Sequence, residues 1–259
     1  MQAQIGLEYV GHATVDVQLD GVRLLTDPIL RPHIGRWLVR RRSLPPIRTD
    51  GPVDAVLLSH LHADHVDLPS LRRLGRETRL IAPRGAGRLL EGAGFRFVQE
   101  LAMGATTSVD GVHVTAVPAV HDGYRPPLGP QAEALGYVIE GSRSLYFAGD
   151  TDLFPAMGDL VGVDLALLPI WGWGPNLGAG HLTPRRAVAA MQLMRPRLTI
   201  PIHWGTLHPI GMGSLAYLTR PAEQFAAYAG LDAPELGVRV LAPGASMAPQ
   251  FGAAMPGSL

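Results

Sequence analysis

Short apolar runs separated by Gly, Pro and Asp turn residues occur along the whole chain. Runs of this length that are rich in Val, Ile and Leu predict β-strands. Three of the turns, Asp20-Gly21, Asp110-Gly111 and Glu140-Gly141, predict tight hairpins. The predicted strands cover residues 5–10, 13–19, 22–25, 53–58, 79–82, 95–98, 106–109, 112–117, 137–139, 144–147, 164–170, 198–202 and 237–241.

Helical periodicity is clearest after the hairpins. Asp67 and Pro69 predict a helix start that runs to about residue 74, and 86–91 predicts a second, shorter helix. Thr183-Pro184 opens a helix whose apolar residues share one face, and 221–229 predicts a helix closed by Gly230. Hairpins followed by helices in each half predict an α/β fold of two mixed sheets packed face to face, with helices outside. We expect one domain over 1–243 and a loose tail over 244–259.

Residues 30–52 show no convincing period. This segment is rich in proline and arginine and contains Trp37 and Arg41. A long structureless stretch in a compact domain is usually functional or mobile. Two interpretations stay open: a solvated loop, or a lid whose arginines and Trp37 contact an anionic or amphipathic substrate.

Composition excludes several classes of function. Hydrophobic residues make up 47% of the 259 residues and charged residues only 17%, which is typical of a compact globule. The formal net charge is zero, so no global field favours nucleic acid. Cysteine is absent, which excludes disulfides, iron–sulfur clusters and thiolate zinc sites. No transmembrane run or signal peptide is recognisable, and we expect a cytoplasmic protein.

Three histidines and an aspartate follow the apolar run at 53–58. In His60-x-His62-x-Asp64-His65, the side chains at 60 and 62 point the same way if the segment is extended, and a turn would bring the other two toward a second position. Isolated histidines are usually surface or core residues. Four such side chains in six residues instead predict a site for two adjacent metals with nitrogen and oxygen ligands, which suits zinc, manganese or iron.

Further candidate ligands lie at other strand ends. His121, Asp150 and His203 each follow an apolar run, and adjacent strands would bring them to one rim. Each signal is weak alone, since Asp150 in Gly-Asp-Thr could be a turn residue. His12, at the break between the first two strands, is either a structural histidine or part of the site wall.

These residues resemble the metallo-β-lactamase superfamily, in particular the branch with the ascorbate-6-phosphate lactonase and the N-acyl-phosphatidylethanolamine phospholipase D. The similarity implies a four-layer αββα sandwich and two divalent metals, zinc first, with manganese or iron as alternatives. It implies that a first metal is held by His60, His62 and His121, and a second by Asp64, His65 and His203, with Asp150 bridging. The matching motifs are Gly11-His12-Ala13-Thr14, Leu25-Thr26-Asp27-Pro28, Ser59-His60-Leu61-His62-Ala63-Asp64-His65, Ala148-Gly149-Asp150-Thr151 and Ile202-His203-Trp204-Gly205-Thr206.

The implied activity is hydrolysis of an ester, lactone or phosphodiester by a bridging hydroxide. Asp64 would orient the nucleophile or accept its proton, and His181 would act as an acid, contact the substrate or merely precede a helix cap. The expected substrate is a small molecule, possibly anionic or phosphorylated. Its candidate contacts are His12, Trp37, Arg41, Trp171 and Trp173. The alternatives are a metal-stabilised binding or scaffold protein and a nuclease of the same superfamily.

Overall fold

The computed structural model describes residues 5–41, 44, 51–212 and 216–251. The elements of the first half are β1 (Ile5–Gly11), β2 (Thr14–Leu19), β3 (Val22–Thr26), β4 (His33–Ile34), β5 (Leu38–Arg40), β6 (Ala55–Leu57), α1 (Leu68–Leu74), β7 (Leu80–Pro83), α2 (Gly87–Gly92) and β8 (Val98–Leu101). Those of the second half are β9 (Thr106–Val109), β10 (Val112–Pro118), β11 (Leu135–Glu140), β12 (Ser144–Phe147), a 3-10 helix (Pro155–Leu160), β13 (Leu165–Pro169), α3 (Pro184–Met194), β14 (Leu198–Ile202), β15 (Leu207–Pro209), α4 (Ala216–Asp232), β16 (Gly237–Val238) and β17 (Ala245–Met247).

Two seven-stranded mixed sheets follow the same plan. The first has the order β17-β1-β2-β3-β6-β7-β8 and the second the order β16-β14-β13-β12-β11-β10-β9. In each sheet antiparallel hairpins come first along the chain, and parallel strands follow, most of them reached through a helix. The predicted α/β architecture of two mixed sheets is therefore confirmed.

The core explains why successive residues of β6 are all apolar. Ala55 and Leu57 join the large cluster between the two sheets, whereas Val56 and Leu58 join a second cluster with Leu71 of α1 and other helix residues. Since neighbouring side chains of a strand point to opposite faces, a strand covered on both faces must be apolar throughout. Helices α3 and α4 bury their apolar faces against the second sheet.

Residues 30–52 are more ordered than the sequence predicts. β4 and β5 pair with each other, and β5 pairs with β15 in a third, three-stranded sheet. The short strands escape a periodicity test because their pairing partner lies at Leu207–Pro209, far along the chain. Residues 42, 43 and 45–50 lie outside the described residues, so the prediction of a lid is left open there.

The C-terminal part differs from the prediction in three places. The predicted loose tail starts with β17, which pairs with β1 and so satisfies the backbone of an edge strand. Helix α4 extends beyond 221–229 at both ends: Leu218 continues its buried face on the N-terminal side, and Gly230 lies inside the helix on the C-terminal side. The last predicted strand shortens to Gly237–Val238. Residues 252–259 lie outside the described residues.

One strand of the first sheet is displaced from its prediction. The strand predicted at 95–98 lies at Val98–Leu101 in the structure and is β8. Phe95 instead packs in the second cluster, the one that contains Leu71 of α1. An apolar run in the sequence does not by itself distinguish a strand from a turn in which one aromatic side chain is buried. No described helix is both long and apolar enough to cross a membrane.

Candidate metal centre

The candidate ligands lie at the carboxyl-terminal ends of the central strands. His60 to His65 follow β6, Asp150 follows β12, and His203 follows β14 directly. Each of these three strands is parallel to a neighbour in its sheet, so the ends that carry ligands meet at one rim. His121 reaches the same rim from the end of β10.

His60, His62 and His121 form a first group, with one nitrogen of each ring within 4.8 Å of the others. His62 Nδ1 and His121 Nε2 are 3.1 Å apart. His60 is fully buried, and its Nε2 has no hydrogen-bond partner among the described residues. A buried nitrogen with a lone pair is destabilising unless another group satisfies it.

A second group consists of His12, Asp64, His65 and His203. His65 Nε2 lies 3.1 Å from His203 Nε2 and 3.9 Å from Asp64 Oδ2. His12 Nε2 contacts Asp64 Oδ2 at 3.1 Å. His12 is 1% exposed, so it belongs to this cluster and supports Asp64 rather than lining an open wall.

Asp150 lies between the groups. Its Oδ2 is 3.1 Å from His65 Nε2 and 3.4 Å from His181 Nε2, and its Oδ1 is 3.2 Å from His203 Nε2. His60, His65 and Asp150 also meet the same 4.8 Å spacing. The carboxylate therefore faces ligands of both groups, as a bridging ligand would.

Side chains hold the histidines of the first sheet. His65 Nδ1 lies 2.7 Å from Asp27 Oδ2, and Ser59 Oγ donates to the same oxygen at 2.5 Å. Because the hydroxyl hydrogen goes to Asp27, Ser59 Oγ accepts from His60 Nδ1 at 3.0 Å. Asp27 and Ser59 are both fully buried. Two imidazoles are thus oriented by one buried carboxylate and one hydroxyl.

Backbone carbonyls hold two histidines of the second sheet. His121 Nδ1 donates to the Gly180 carbonyl at 2.8 Å, and His203 Nδ1 donates to the Trp171 carbonyl at 2.6 Å. Carbonyl oxygens only accept, so the hydrogen of each neutral ring is on Nδ1. The Nε2 lone pair of each ring then points into the cluster.

The same argument applies to four rings. In their neutral forms His60, His65, His121 and His203 carry the hydrogen on Nδ1 and direct an Nε2 lone pair inward. The two lone pairs of His65 and His203 at 3.1 Å repel each other unless a proton or a cation lies between them. Imidazole nitrogens with outer Nδ1–H acceptors, beside carboxylates, are the donor set of a transition-metal site. The residues therefore fit divalent metal ions.

The electrostatics favour metal-binding protonation states for most of the cluster. Burial lowers the pKa of His60 and of His203 well below the ordinary value. Burial opposes ionisation of Asp150, but the charges of His203 and His65 outweigh it and hold its pKa well below its usual range. Burial also opposes protonation of His65, but Asp150 and Asp27 outweigh the effect of burial and raise the pKa of His65 well above its ordinary value. A cation at His65 Nε2 would compete with that proton.

The remaining titratable groups follow the same balance. Burial lowers the pKa of His62 and of His121. Burial opposes ionisation of Asp64, but the hydrogen bond from His12 and the charge of His65 hold its pKa well below the usual range. For His181, the hydrogen bond and charge of Asp150 outweigh the effect of burial and raise the pKa.

Arg125 is a supporting residue that the sequence did not reveal. Its Nη1 donates to the carbonyls of Leu61 and Val66, at 2.6 and 3.0 Å. These bonds fix both ends of the turn that carries His62, Asp64 and His65. No local pattern connects position 125 to that turn. Asp27 did carry a signal, since it follows β3, which is parallel to β6 and ends at the same rim.

The predicted substrate contacts lie in different surroundings. Trp37 is 78% exposed, and Trp173 is 39% exposed. Trp171 is half-buried, and its carbonyl holds His203 while its indole donates to the Gly174 carbonyl at 3.0 Å. The Arg41 backbone N–H donates to the Thr206 carbonyl at 2.8 Å, which ties β5 to the segment after His203.

Comparison with known proteins finds one matching family model and several related hydrolases. The family model of the beta-lactamase superfamily domain matches residues 22–204. A UPF0173 metal-dependent hydrolase of Methanopyrus kandleri is 33% identical over 213 residues, covering 79% of this chain and 86% of the relative. An N-acyl-phosphatidylethanolamine-hydrolyzing phospholipase D of Caenorhabditis elegans is 31% identical over 243 residues, covering 83% of this chain and 67% of the relative.

A solved structure shows the same fold. The metallo hydrolase of the hyperthermophilic archaeon Ignicoccus hospitalis matches with a TM-score of 0.72 and 25% identity, covering 96% of this chain and all of that one. The family model spans well over half of the chain and includes the strand ends that carry His60 to His65, His121, Asp150 and His203. The chain therefore belongs to the metallo-β-lactamase superfamily of metal-dependent hydrolases, and it has the fold of that superfamily.

Proposed function

We propose that the chain hydrolyses an ester, lactone or phosphodiester bond in a small molecule at a centre of two divalent metal ions. One observation carries the proposal: four imidazoles have their Nδ1 atoms engaged by outer acceptors and direct Nε2 into one buried cluster with Asp64 and Asp150. Such a donor set suits zinc first, with manganese and iron as alternatives.

The ligands divide into two sets that share Asp150. His60, His62 and His121 would hold one ion, and Asp64, His65 and His203 the other. Asp150 would bridge, because it groups with His60 of the first set and His65 of the second within 4.8 Å, and its Oδ1 also lies 3.2 Å from His203 Nε2. The ions would supply a water of lowered pKa as nucleophile and stabilise charge on the reacting oxygens.

Two side chains would take part in proton transfer. Asp64 is fixed through Oδ2 by His12, which leaves its other oxygen to orient the nucleophile or accept its proton. His181 lies beside Asp150 with 21% of its side chain exposed, and its Nδ1 donates to the carbonyls of Gly178 and Ala179. It would protonate the leaving oxygen or contact the substrate.

Ester chemistry is supported by the phospholipase relative, which hydrolyses N-acyl-phosphatidylethanolamine. The zero net charge weighs against nucleic acid as substrate. Hydrolysis rather than scaffolding is supported by the complete ligand set, in which every predicted ligand reaches the cluster.

The test combines metal analysis with a substrate panel. We expect protein purified without added metal to contain two equivalents of divalent ion. We expect it to hydrolyse at least one of bis(p-nitrophenyl) phosphate, p-nitrophenyl butyrate or γ-butyrolactone. His60→Ala or Asp150→Ala should lower turnover at least a thousandfold, on the order of a lost catalytic metal. A chelator should abolish turnover of the wild type.

His113→Ala is the matched control, since His113 is exposed on β10 and outside the cluster. It should retain metal content and turnover. Full hydrolysis by His60→Ala, or activity that resists the chelator and the loss of metal, would contradict the proposal. Two bound metals with no turnover on any panel member would favour the binding or scaffold alternative.

A further inference from the structure

A cavity of about 910 Å³ lies on the three-stranded sheet of β4, β5 and β15. Its wall includes Arg36, Arg40 and Arg41 together with His33 and His208. No acidic residue is among the described residues that line it. In a chain with equal numbers of acidic and basic residues, such a one-sided lining creates a local positive field.

The cavity wall is continuous with segments that carry candidate ligands. β15 begins at Leu207, directly after Thr206, whose Oγ1 accepts from the backbone N–H of His12 at 2.8 Å. Arg40 Nη2 donates to the Val10 carbonyl at 3.1 Å, two residues before His12. The guanidinium of Arg40 therefore lies between the cavity and the segment that supports the second ligand group.

The lining is suited to one chemical class of ligand. Guanidinium groups bind carboxylate and phosphate oxygens through paired N–H donors. Val39 and Ile210, in the same wall, offer apolar contact to the body of a ligand. The volume falls within the range of pockets for small organic molecules. Arg36 is exposed, and no carboxylate of the described residues forms an ion pair with it.

We infer that this cavity is an organic-anion subsite, in which Arg36 and Arg41 bind the charged group of a substrate whose scissile bond lies at the metal centre. The inference extends the proposed function by assigning the substrate an anionic group away from the reacting bond. The occupied cavity would hold the substrate through a part that does not react, as binding sites commonly do.

The test is a binding measurement that does not require turnover. Calorimetric titration of the metal-loaded protein with phenyl phosphate and with benzoate distinguishes the two anion types, and benzyl alcohol is the neutral probe. We expect Arg36→Gln and Arg41→Gln each to weaken binding of at least one anion about tenfold, which corresponds to the loss of one charge-assisted hydrogen bond. Benzyl alcohol should bind equally to wild type and variants.

Arg88→Gln is the control, because it removes the same charge from an exposed position on α2. It should bind both anions like the wild type. Anion affinity that is unchanged in Arg36→Gln and Arg41→Gln would place the anions on the metals alone and overturn the inference. If Arg88→Gln weakened anion binding equally, the loss of affinity would reflect the change in net charge alone, and the inference would be overturned as well. Absence of hydrolysis would refute only the proposed function, since these affinities are measured without reaction.

Discussion

The two sheets support their candidate ligands by different means. On the first sheet, the buried side chains of Asp27 and Ser59 hold His60 and His65. On the second sheet, the main-chain carbonyls of Gly180 and Trp171 hold His121 and His203. The function of the outer acceptor is the same in both cases, since each fixes the hydrogen on Nδ1.

The difference determines at which positions a substitution removes the outer acceptor of a histidine. An acceptor that belongs to a side chain is lost when the residue changes, whereas a carbonyl remains whatever side chain is attached. Support on the second sheet therefore depends on backbone conformation, and support on the first depends on residue identity. Three substitutions test this contrast.

The largest effect is expected from Asp27→Asn. Asp27 accepts from the Ser59 backbone N–H, the Ser59 hydroxyl and His65 Nδ1, and an amide nitrogen in its place would meet one of those donors. We expect metal affinity to fall roughly 10- to 100-fold, the effect typical of losing an outer partner of a metal ligand. Calorimetric titration with zinc measures this.

Asp110→Asn is the control for this substitution, because Asp110 lies in an exposed hairpin turn at φ 46°, a conformation that Asn tolerates. Its zinc affinity should match that of the wild type. Thermal unfolding of the metal-free proteins separates a change of site from a change of fold. Unaltered zinc affinity in folded Asp27→Asn would show that the carboxylate does not orient His65.

Gly180→Ala should have an intermediate effect, since it changes the backbone on which His121 depends. Gly180 has φ +76°, and a Cβ there would lie 3.0 Å from His121 Nδ1. An L-residue is strained in that conformation, and the added methyl pushes on the imidazole. We expect metal affinity to fall about tenfold, the lower end of the usual range for outer-shell changes.

Gly178→Ala, in the same loop, provides a close comparison. A Cβ at Gly178 meets no atom within 4 Å, and its φ is not in the left-handed region. It should bind zinc with wild-type affinity. If both substitutions weakened zinc binding equally, the effect would come from general loop stiffening rather than from the carbonyl that holds His121.

The smallest effect is expected from Trp171→Phe. The carbonyl that holds His203 is retained, and only the indole hydrogen bond to Gly174 is lost. We expect zinc content and affinity to stay unchanged while the free energy of unfolding falls by about 1 kcal/mol. Metal analysis and urea unfolding measure the two quantities. A loss of zinc in this variant would mean that the side chain, not the carbonyl, supports the ligand.

The sequence predicted most of the sheet architecture because local pattern and tertiary environment agree there. The hairpin at Asp20-Gly21 and the capped helices after Asp67 and Thr183 form as predicted. Predictions failed where pairing partners are remote. β17 joins β1 from the other end of the chain, and β15 orders the arginine-rich segment near residue 40. Such pairing leaves no periodic trace in a short strand.

By itself the sequence identified the candidate donor set, because His60 to His65 and the three later candidate ligands are histidine and aspartate side chains at the ends of apolar runs. Only the tertiary structure decided their protonation and direction. Asp27, Ser59 and two backbone carbonyls fix the tautomers, and Arg125 fixes the turn that carries His62 and Asp64. Those contacts join residues distant along the chain, and hydrogen-bond geometry exists only after the two sheets have packed together.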